Sequence, residues 1–223
     1  GYGMTENCAY ASGNNDKKMK LGTVGVPNHG VEIKLADDGE ILVKSPAVFK
    51  GYFKDEAATN ECIDEEGWLY TGDVGVFDGE FLKIIDRKKD IIITSGGKNV
   101  SPQEIENKIK ISPFIKDALV IGDKRKFLSV LVSIEFETVS NWALRKNITH
   151  TTYRDLSEKK EVKDLVWGEI LKANAKTSSL EIRKFKMLPK ELDHEDGETT
   201  ATQKIKKNVV MEKFSDLIEE MYS

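Results

Sequence analysis

The chain has 223 residues, 39% of them apolar and 32% charged, with two cysteines and a net charge of −4. A chain of this length buries roughly 70% of its unfolded surface, whereas its longest apolar runs, residues 118–121 and 127–132, fall far short of the ~20 residues that span a bilayer. Collagen, coiled coil, disulfide scaffold and integral membrane protein are excluded; Cys8 and Cys62, with no CxxC or framework spacing and no secretory leader ahead of them, fit a reducing cytosol.

Residues 31–35 and 40–44 alternate apolar and polar side chains across Asp37-Asp38-Gly39, which predicts a hairpin. Asp55 is placed to cap a short helix over residues 56–60. Residues 68–77 and 80–85 flank Asp78-Gly79 as a second hairpin, so the first third reads as small, antiparallel and β-rich. Five consecutive charges follow, Asp86-Arg87-Lys88-Lys89-Asp90. Between two apolar strands, such a run is expected at the surface and marks a boundary or hinge.

Beyond it, residues 91–94 read as a strand and Ser95-Gly96-Gly97 as a turn. Ser101-Pro102-Gln103-Glu104 is a capping-box signature with proline at the first helical position; the helix it opens carries Ile105 and Ile109 on one face, and Pro113 stops it. Two strands are expected over 118–121 and 127–136, joined at 123–126. Thr138 is expected to cap a short helix through Trp142 and Leu144. Residues 158–175 form a longer amphipathic pattern through Val162, Leu165, Val166, Glu169 and Ile170. A strand over 182–188, an acidic loop over 189–203 and a terminal helix over 208–221 complete the chain. Two parts result, 1–86 and 87–223, the second α+β. The first carries 8 basic and 16 acidic side chains and the second 26 and 22. That contrast fits a second part facing an anion, and equally fits ordinary solvated helix faces.

Familiar site patterns are missing. His29, His150 and His194 have no HxxxH or HExxH spacing, and neither GxxxxGK[ST] nor GxSxG occurs. Lys204-Ile205-Lys206-Lys207 lacks the aromatic interleaving of a nucleic-acid patch, so no nucleic-acid partner is expected. Five short motifs, unremarkable singly, become specific in order: Gly1-Tyr2-Gly3-Met4-Thr5-Glu6; Tyr70-Thr71-Gly72-Asp73; the charge run from Asp86; Ser95-Gly96-Gly97-Lys98 through Ile105-Glu106; and Thr200-Ala201-Thr202-Gln203-Lys204-Ile205-Lys206. The series closely resembles the C-terminal portion of the adenylate-forming (AMP-binding) enzymes. The segment from Leu188-Pro189 to His194 and the insertion around 140–180 are most similar to long-chain fatty acyl-CoA synthetases.

The resemblance implies a role for each position. Tyr2 matches the ring that stacks on adenine, Gly3 shares its nucleotide motif, Thr5 matches a hydroxyl donor to the α-phosphate, and Glu6 a carboxylate holding Mg²⁺. Asp73 matches the acceptor of both ribose hydroxyls and Arg87 the guanidinium beside ribose and phosphate. Lys204 matches the catalytic lysine at the α-phosphate, although many relatives place glycine where this chain has Gln203. Asp86 matches the hinge, and Ser95, Gly96, Gly97 and Lys98 line the path of the CoA pantetheine.

The implied fold is α+β. Residues 1–86 would end a large N-terminal domain with its small antiparallel β-barrel subdomain, and 87–223 would form a mobile C-terminal domain around a small central sheet. The implied parent is a cytoplasmic long-chain fatty acid–CoA ligase using ATP, Mg²⁺ and CoA, monomeric or homodimeric, with room for peripheral membrane contact. The phosphate loop and acyl tunnel of such a parent are expected upstream of Gly1, which makes residues 1–223 inactive alone. Two other readings stand beside it: a ligase for another acid or for a carrier protein, and a truncated, non-catalytic binding module.

Overall fold

In the computed structural model, which describes residues 1–175 and 181–223, the chain divides into two units, Gly1–Ile91 and Ile92–Ser223. In the first, a short antiparallel pair, β1 (Ser12–Gly13) and β2 (Val26–Pro27), precedes an antiparallel sheet. Its strand order is β3 (Glu32–Leu35), β4 (Glu40–Lys44), β5 (Leu69–Asp78), β6 (Phe81–Arg87). The free edge of β6 is not left open: Val24 N–H donates to Leu82 O and Leu82 N–H to Gly25 O, both at 2.8 Å. Alternation along β4 sends Ile41 and Val43 into a core with Tyr2, Ala11, Val31 and Leu82, each large side chain contributing roughly 1.5–3 kcal/mol on burial. Helix α1 (Glu56–Cys62) starts where Asp55 accepts the Ala58 N–H at 3.0 Å.

The second unit opens with the paired strands β7 (Ile92–Ile93) and β8 (Asn99–Val100). Helix α2 (Pro102–Ile109) follows, with the Ser101 hydroxyl accepting the Glu104 N–H at 3.2 Å. Its central sheet has the order β11 (Ile182–Met187), β10 (Leu128–Ile134), β9 (Ile115–Ile121), with β10 antiparallel to β9 and parallel to β11. Every residue of β10 is buried, because both faces are covered. Ala118, Val120, Val130 and Val132 meet α2, α3 (Phe136–Arg145), α4 (Tyr153–Glu158) and α5 (Lys160–Asn174). Leu119, Ile121 and Leu131 meet α6 (Lys207–Lys213) and α7 (Ser215–Tyr222) through Val210, Phe214, Ile218 and Met221. A central strand buried on two faces reads as a continuous apolar run rather than an alternating one.

Three expectations differ from the structure, and one helix was not expected. The charge run is not wholly at the surface: Asp86 and Arg87 finish β6, and pairing opposite Val74 turns Asp86 inward to 2% exposure. Thr138 does not cap its helix; the chain runs from β10 into α3 with Glu135 at the cap, which lets Phe136 pack on the core. The helix expected over 158–175 forms as α5, but a further helix, α4, precedes it unforeseen: Lys159 is extended between the two (φ −60°, ψ 135°), and α4 has its own cap, the Thr152 hydroxyl accepting the Asp155 N–H at 3.1 Å. The terminal helix breaks at Phe214 (φ −110°, ψ 27°), whose ring is drawn into the core.

Candidate functional site

The β5–β6 register sets Asp73 opposite Arg87. Arg87 Nε lies 2.9 Å from Asp73 Oδ1, and the Tyr2 hydroxyl donates to Asp73 Oδ2 at 2.6 Å. Asp73 and Tyr2 are buried, while Arg87 is half open to solvent. Burial, then the bond to Asp73, pushes the Tyr2 phenol far above its ordinary range, so it stays a donor at any working pH.

The surrounding turn is held from several sides. The Thr71 hydroxyl donates to Ile41 O at 2.7 Å and accepts the Asp73 N–H at 3.2 Å. Glu40, also buried, accepts the Gly72 N–H at 2.9 Å and Lys88 Nζ at 2.7 Å. Lys88 reaches Asp38 at 2.6 Å as well. The Asp38 and Glu40 hydrogen bonds raise Lys88 above the usual ammonium range, and Lys88 in turn holds Asp38 low. What results is a fixed carboxylate with a guanidinium beside it, a geometry suited to accepting vicinal hydroxyls near an anion.

Thr5 and Glu6 lie in a 3-10 turn, Thr5–Asn7. The backbone here is closely folded: a Cβ at Gly3 would stand 2.2 Å from the Ala9 carbonyl carbon, so glycine is required. Thr5 is exposed. Glu6 Oε1 accepts the Tyr52 hydroxyl at 2.8 Å, which pushes Tyr52 up to about 12. Its other carboxylate oxygen has no hydrogen bond among the described residues. A half-exposed hard oxygen donor of this kind fits Mg²⁺, with phosphate oxygens supplying further ligands.

In the second unit Lys204 is exposed, on a hairpin closed by the Thr199–Ile205 bridge. Thr200 N–H donates to Lys204 O at 2.8 Å, and Lys204 N–H to Thr200 Oγ1 at 3.1 Å. Its ammonium makes no ion pair among the described residues. Gln203 has φ +60°, the left-handed backbone for which glycine is the usual choice. Ser95, Gly96, Gly97 and Lys98 form an exposed turn, with Ser95 N–H on Arg125 O at 3.0 Å and Gly97 N–H on Thr94 O at 2.8 Å. Among the described residues, a Cβ at Gly96 would meet nothing closer than Thr94 Oγ1 at 4.0 Å, so no packing among them demands glycine there.

The structure thus joins Tyr2, Asp73 and Arg87 directly and ties Glu6 to Tyr52 instead. Three buried carboxylates escaped the sequence reading. Glu40 supports the Asp73 turn; Glu106 accepts Val120 N–H at 3.0 Å and Lys207 Nζ at 3.1 Å; Glu198 lies under the Lys204 hairpin. Each looks locally like a solvated position, and only its long-range partners show otherwise.

Residues 89–223 match the AMP-binding enzyme C-terminal domain, and residues 1–53 match the AMP-binding enzyme family. Over its whole length the chain is 39% identical to the long-chain-fatty-acid–CoA ligase FadD15 of Mycobacterium bovis and 35% identical to the peroxisomal long chain acyl-CoA synthetase 7 of Arabidopsis thaliana. It spans 38% and 35% of those two proteins. Among solved structures, the O-succinylbenzoate coenzyme A synthetase of Bacillus subtilis, in complex with AMP, is similar with a TM-score of 0.64 and 28% identity, over 93% of this chain and 39% of that one. The A-PCP didomain of a carboxylic acid reductase from Segniliparus rugosus shares the fold with a TM-score of 0.71 at 21% identity, over 90% of this chain and 28% of its own. With the C-terminal domain matched across residues 89–223, the chain belongs to the AMP-binding, adenylate-forming enzymes.

Proposed function

We propose that this chain is the C-terminal portion of a ligase that activates a long-chain fatty acid with ATP and passes the acyl group to CoA. The observation that carries the reading is the buried Asp73 carboxylate, fixed between Tyr2 and Arg87 on adjoining elements. In the first half-reaction the ribose hydroxyls displace the Tyr2 hydroxyl from Asp73, and the freed ring turns against adenine. Arg87 lies beside ribose and phosphate. Thr5 donates to the α-phosphate, and Glu6 holds Mg²⁺, which neutralises phosphate charge when bound.

Fatty carboxylate oxygen attacks the α-phosphorus and pyrophosphate leaves. Lys204 stabilises the charge that develops there, as a positioned cation does best once water is excluded. In the second half-reaction the CoA thiolate attacks the acyl carbonyl and AMP departs. The exposed Ser95-Gly96-Gly97-Lys98 turn suits the pantetheine path, because backbone without side chains admits a thin ligand. Asp86 is the hinge position of this reading, at the end of β6, and the unit from Ile92 onward changes faces between the steps.

Relatives named long-chain-fatty-acid–CoA ligase at 38–39% identity, and one named long chain acyl-CoA synthetase at 35%, support the substrate class. Among the described residues, no helix is long and apolar enough to cross a membrane; cytoplasmic placement with peripheral membrane contact belongs to this same proposal.

The test is a panel of acids offered to the full-length ligase with ATP and CoA. Long-chain acids should give acyl-CoA and AMP in equal amounts, while residues 1–223 alone give no acid-dependent pyrophosphate exchange. Preference for aromatic or short acids, or exchange by the isolated chain, contradicts the reading.

A further inference from the structure

The acidic loop between β11 and α6 folds around one buried carboxylate. Glu198 is 0% exposed. Its Oε2 lies 2.9 Å from Lys190 Nζ and accepts the Asp193 N–H at 3.1 Å, while its Oε1 lies 2.7 Å from Lys213 Nζ. Both lysines also reach Asp196, and Lys190 reaches Asp193. Burial by itself raises the Glu198 carboxyl, but the Lys190 and Lys213 ammoniums outweigh it and hold the group below the ordinary carboxylate range.

The main chain of the same residue ties this clamp to the Lys204 hairpin. Glu198 N–H donates to Asp193 O at 3.1 Å, and Glu198 O accepts the Lys206 N–H at 2.8 Å. The next rung is the Thr199–Ile205 bridge, and the one after it is the Thr200–Lys204 pair already described. Lys204 therefore stands two rungs from a buried, doubly paired charge. Such ion pairs add little net stability compared with an apolar replacement, but they hold their backbone in one place.

We propose that Glu198 is a positioning residue for Lys204. Clamped between Lys190 and Lys213, it holds the base of the Thr199–Ile205 hairpin and so sets where the Lys204 ammonium stands. This rests on the reading of Lys204 given above.

The test follows the two half-reactions of the full-length ligase separately, by fatty-acid-dependent ATP–pyrophosphate exchange and by thioester formation from supplied acyl-adenylate. Glu198→Gln keeps the shape but removes the charge that both lysines share. Exchange should fall about 10²-fold, the loss typical of a group displaced by about 1 Å, with thioester formation changed by no more than about threefold. Glu198→Asp, still charged, should recover part of the loss. In the Lys204→Ala background, Glu198→Gln should slow exchange no further, because nothing is left to position.

Equal losses in both half-reactions overturn the proposal, and so does a full Glu198→Gln loss added to that of Lys204→Ala. Should Glu198→Gln fail to fold, Lys213→Met removes one of the two cations from the half-exposed side, and the same set of rates, alone and in the Lys204→Ala background, supports or overturns the proposal in the same way. If Lys204→Ala lowers exchange while Glu198→Gln does not, only this inference fails. If Lys204→Ala leaves exchange unchanged, the reading of Lys204 fails and the inference with it.

Discussion

Tyr2→Phe separates the hydroxyl of Tyr2 from its ring. The hydroxyl makes a 2.6 Å hydrogen bond to a carboxylate 71 residues away, both groups being buried. Hydrogen bonds to charged groups contribute about 1.5–3 kcal/mol, and a buried acceptor that loses its donor bears much of that cost. Arg87 still pairs with Asp73, but its side chain is 52% exposed, and a screened pair of this sort gives back under about 1 kcal/mol. Unfolding of the first unit should therefore become easier by about 2 kcal/mol. Urea unfolding of residues 1–223, followed by amide exchange in β4–β6, measures it.

Nucleotide binding should move the other way. The proposed route has ribose displace the Tyr2 hydroxyl and the ring swing out, so phenylalanine removes the bond to be broken and keeps the stacking face. In the full-length ligase, Tyr2→Phe should keep or lower the KM for ATP while stability falls. A rise in KM of about tenfold, some 1.4 kcal/mol, with unchanged stability would refute both the hydrogen bond's worth and the exchange.

Two further outcomes are expected. Asp86→Pro fixes φ near −65° at the proposed hinge, and in the full-length ligase it should keep adenylation and lose thioester formation; because Asp86 is buried in β6 it should also lower stability. Wild-type rates in both half-reactions would remove the hinge. The Glu198 carboxyl is held below its ordinary 4.5 in the folded chain, so its contribution is present above that value and is lost as pH falls through the folded one. The drop in urea midpoint of the second unit between about pH 6 and about pH 3.5 should shrink in Glu198→Gln, and an unchanged drop would place the acid sensitivity elsewhere.

Where structure follows from nearby residues, the sequence was readable. Asp78-Gly79 between alternating segments, Asp55 ahead of a short helix and Ser101-Pro102 each carry a local physical signal, and β5, β6, α1 and α2 formed there. The break in the terminal helix was not readable, because a helical pattern continues through Phe214 while tertiary packing decides the break, and α4 is too short to show a period of its own. Asp86 reads as one charge among five, and its burial depends on pairing with Val74 across β5–β6. At the site, the resemblance pointed to Tyr2, Asp73 and Arg87 one by one. The Tyr2–Asp73 bond and the buried supports Glu40 and Glu198 are long-range facts that no spacing encodes.

In the proposed adenylation step, Lys204 stands at the α-phosphate while the acyl carboxylate attacks it. The decisive measurement is on Lys204→Ala in the full-length ligase, with pyrophosphate exchange and thioester formation from supplied acyl-adenylate followed on the same preparation. Exchange should fall by about 10²–10³, the usual cost of one lost charge-stabilising donor, while the thioester step keeps nearly its wild-type rate. Equal losses in the two half-reactions, or no loss in exchange, would mean that Lys204 does not act on the α-phosphate.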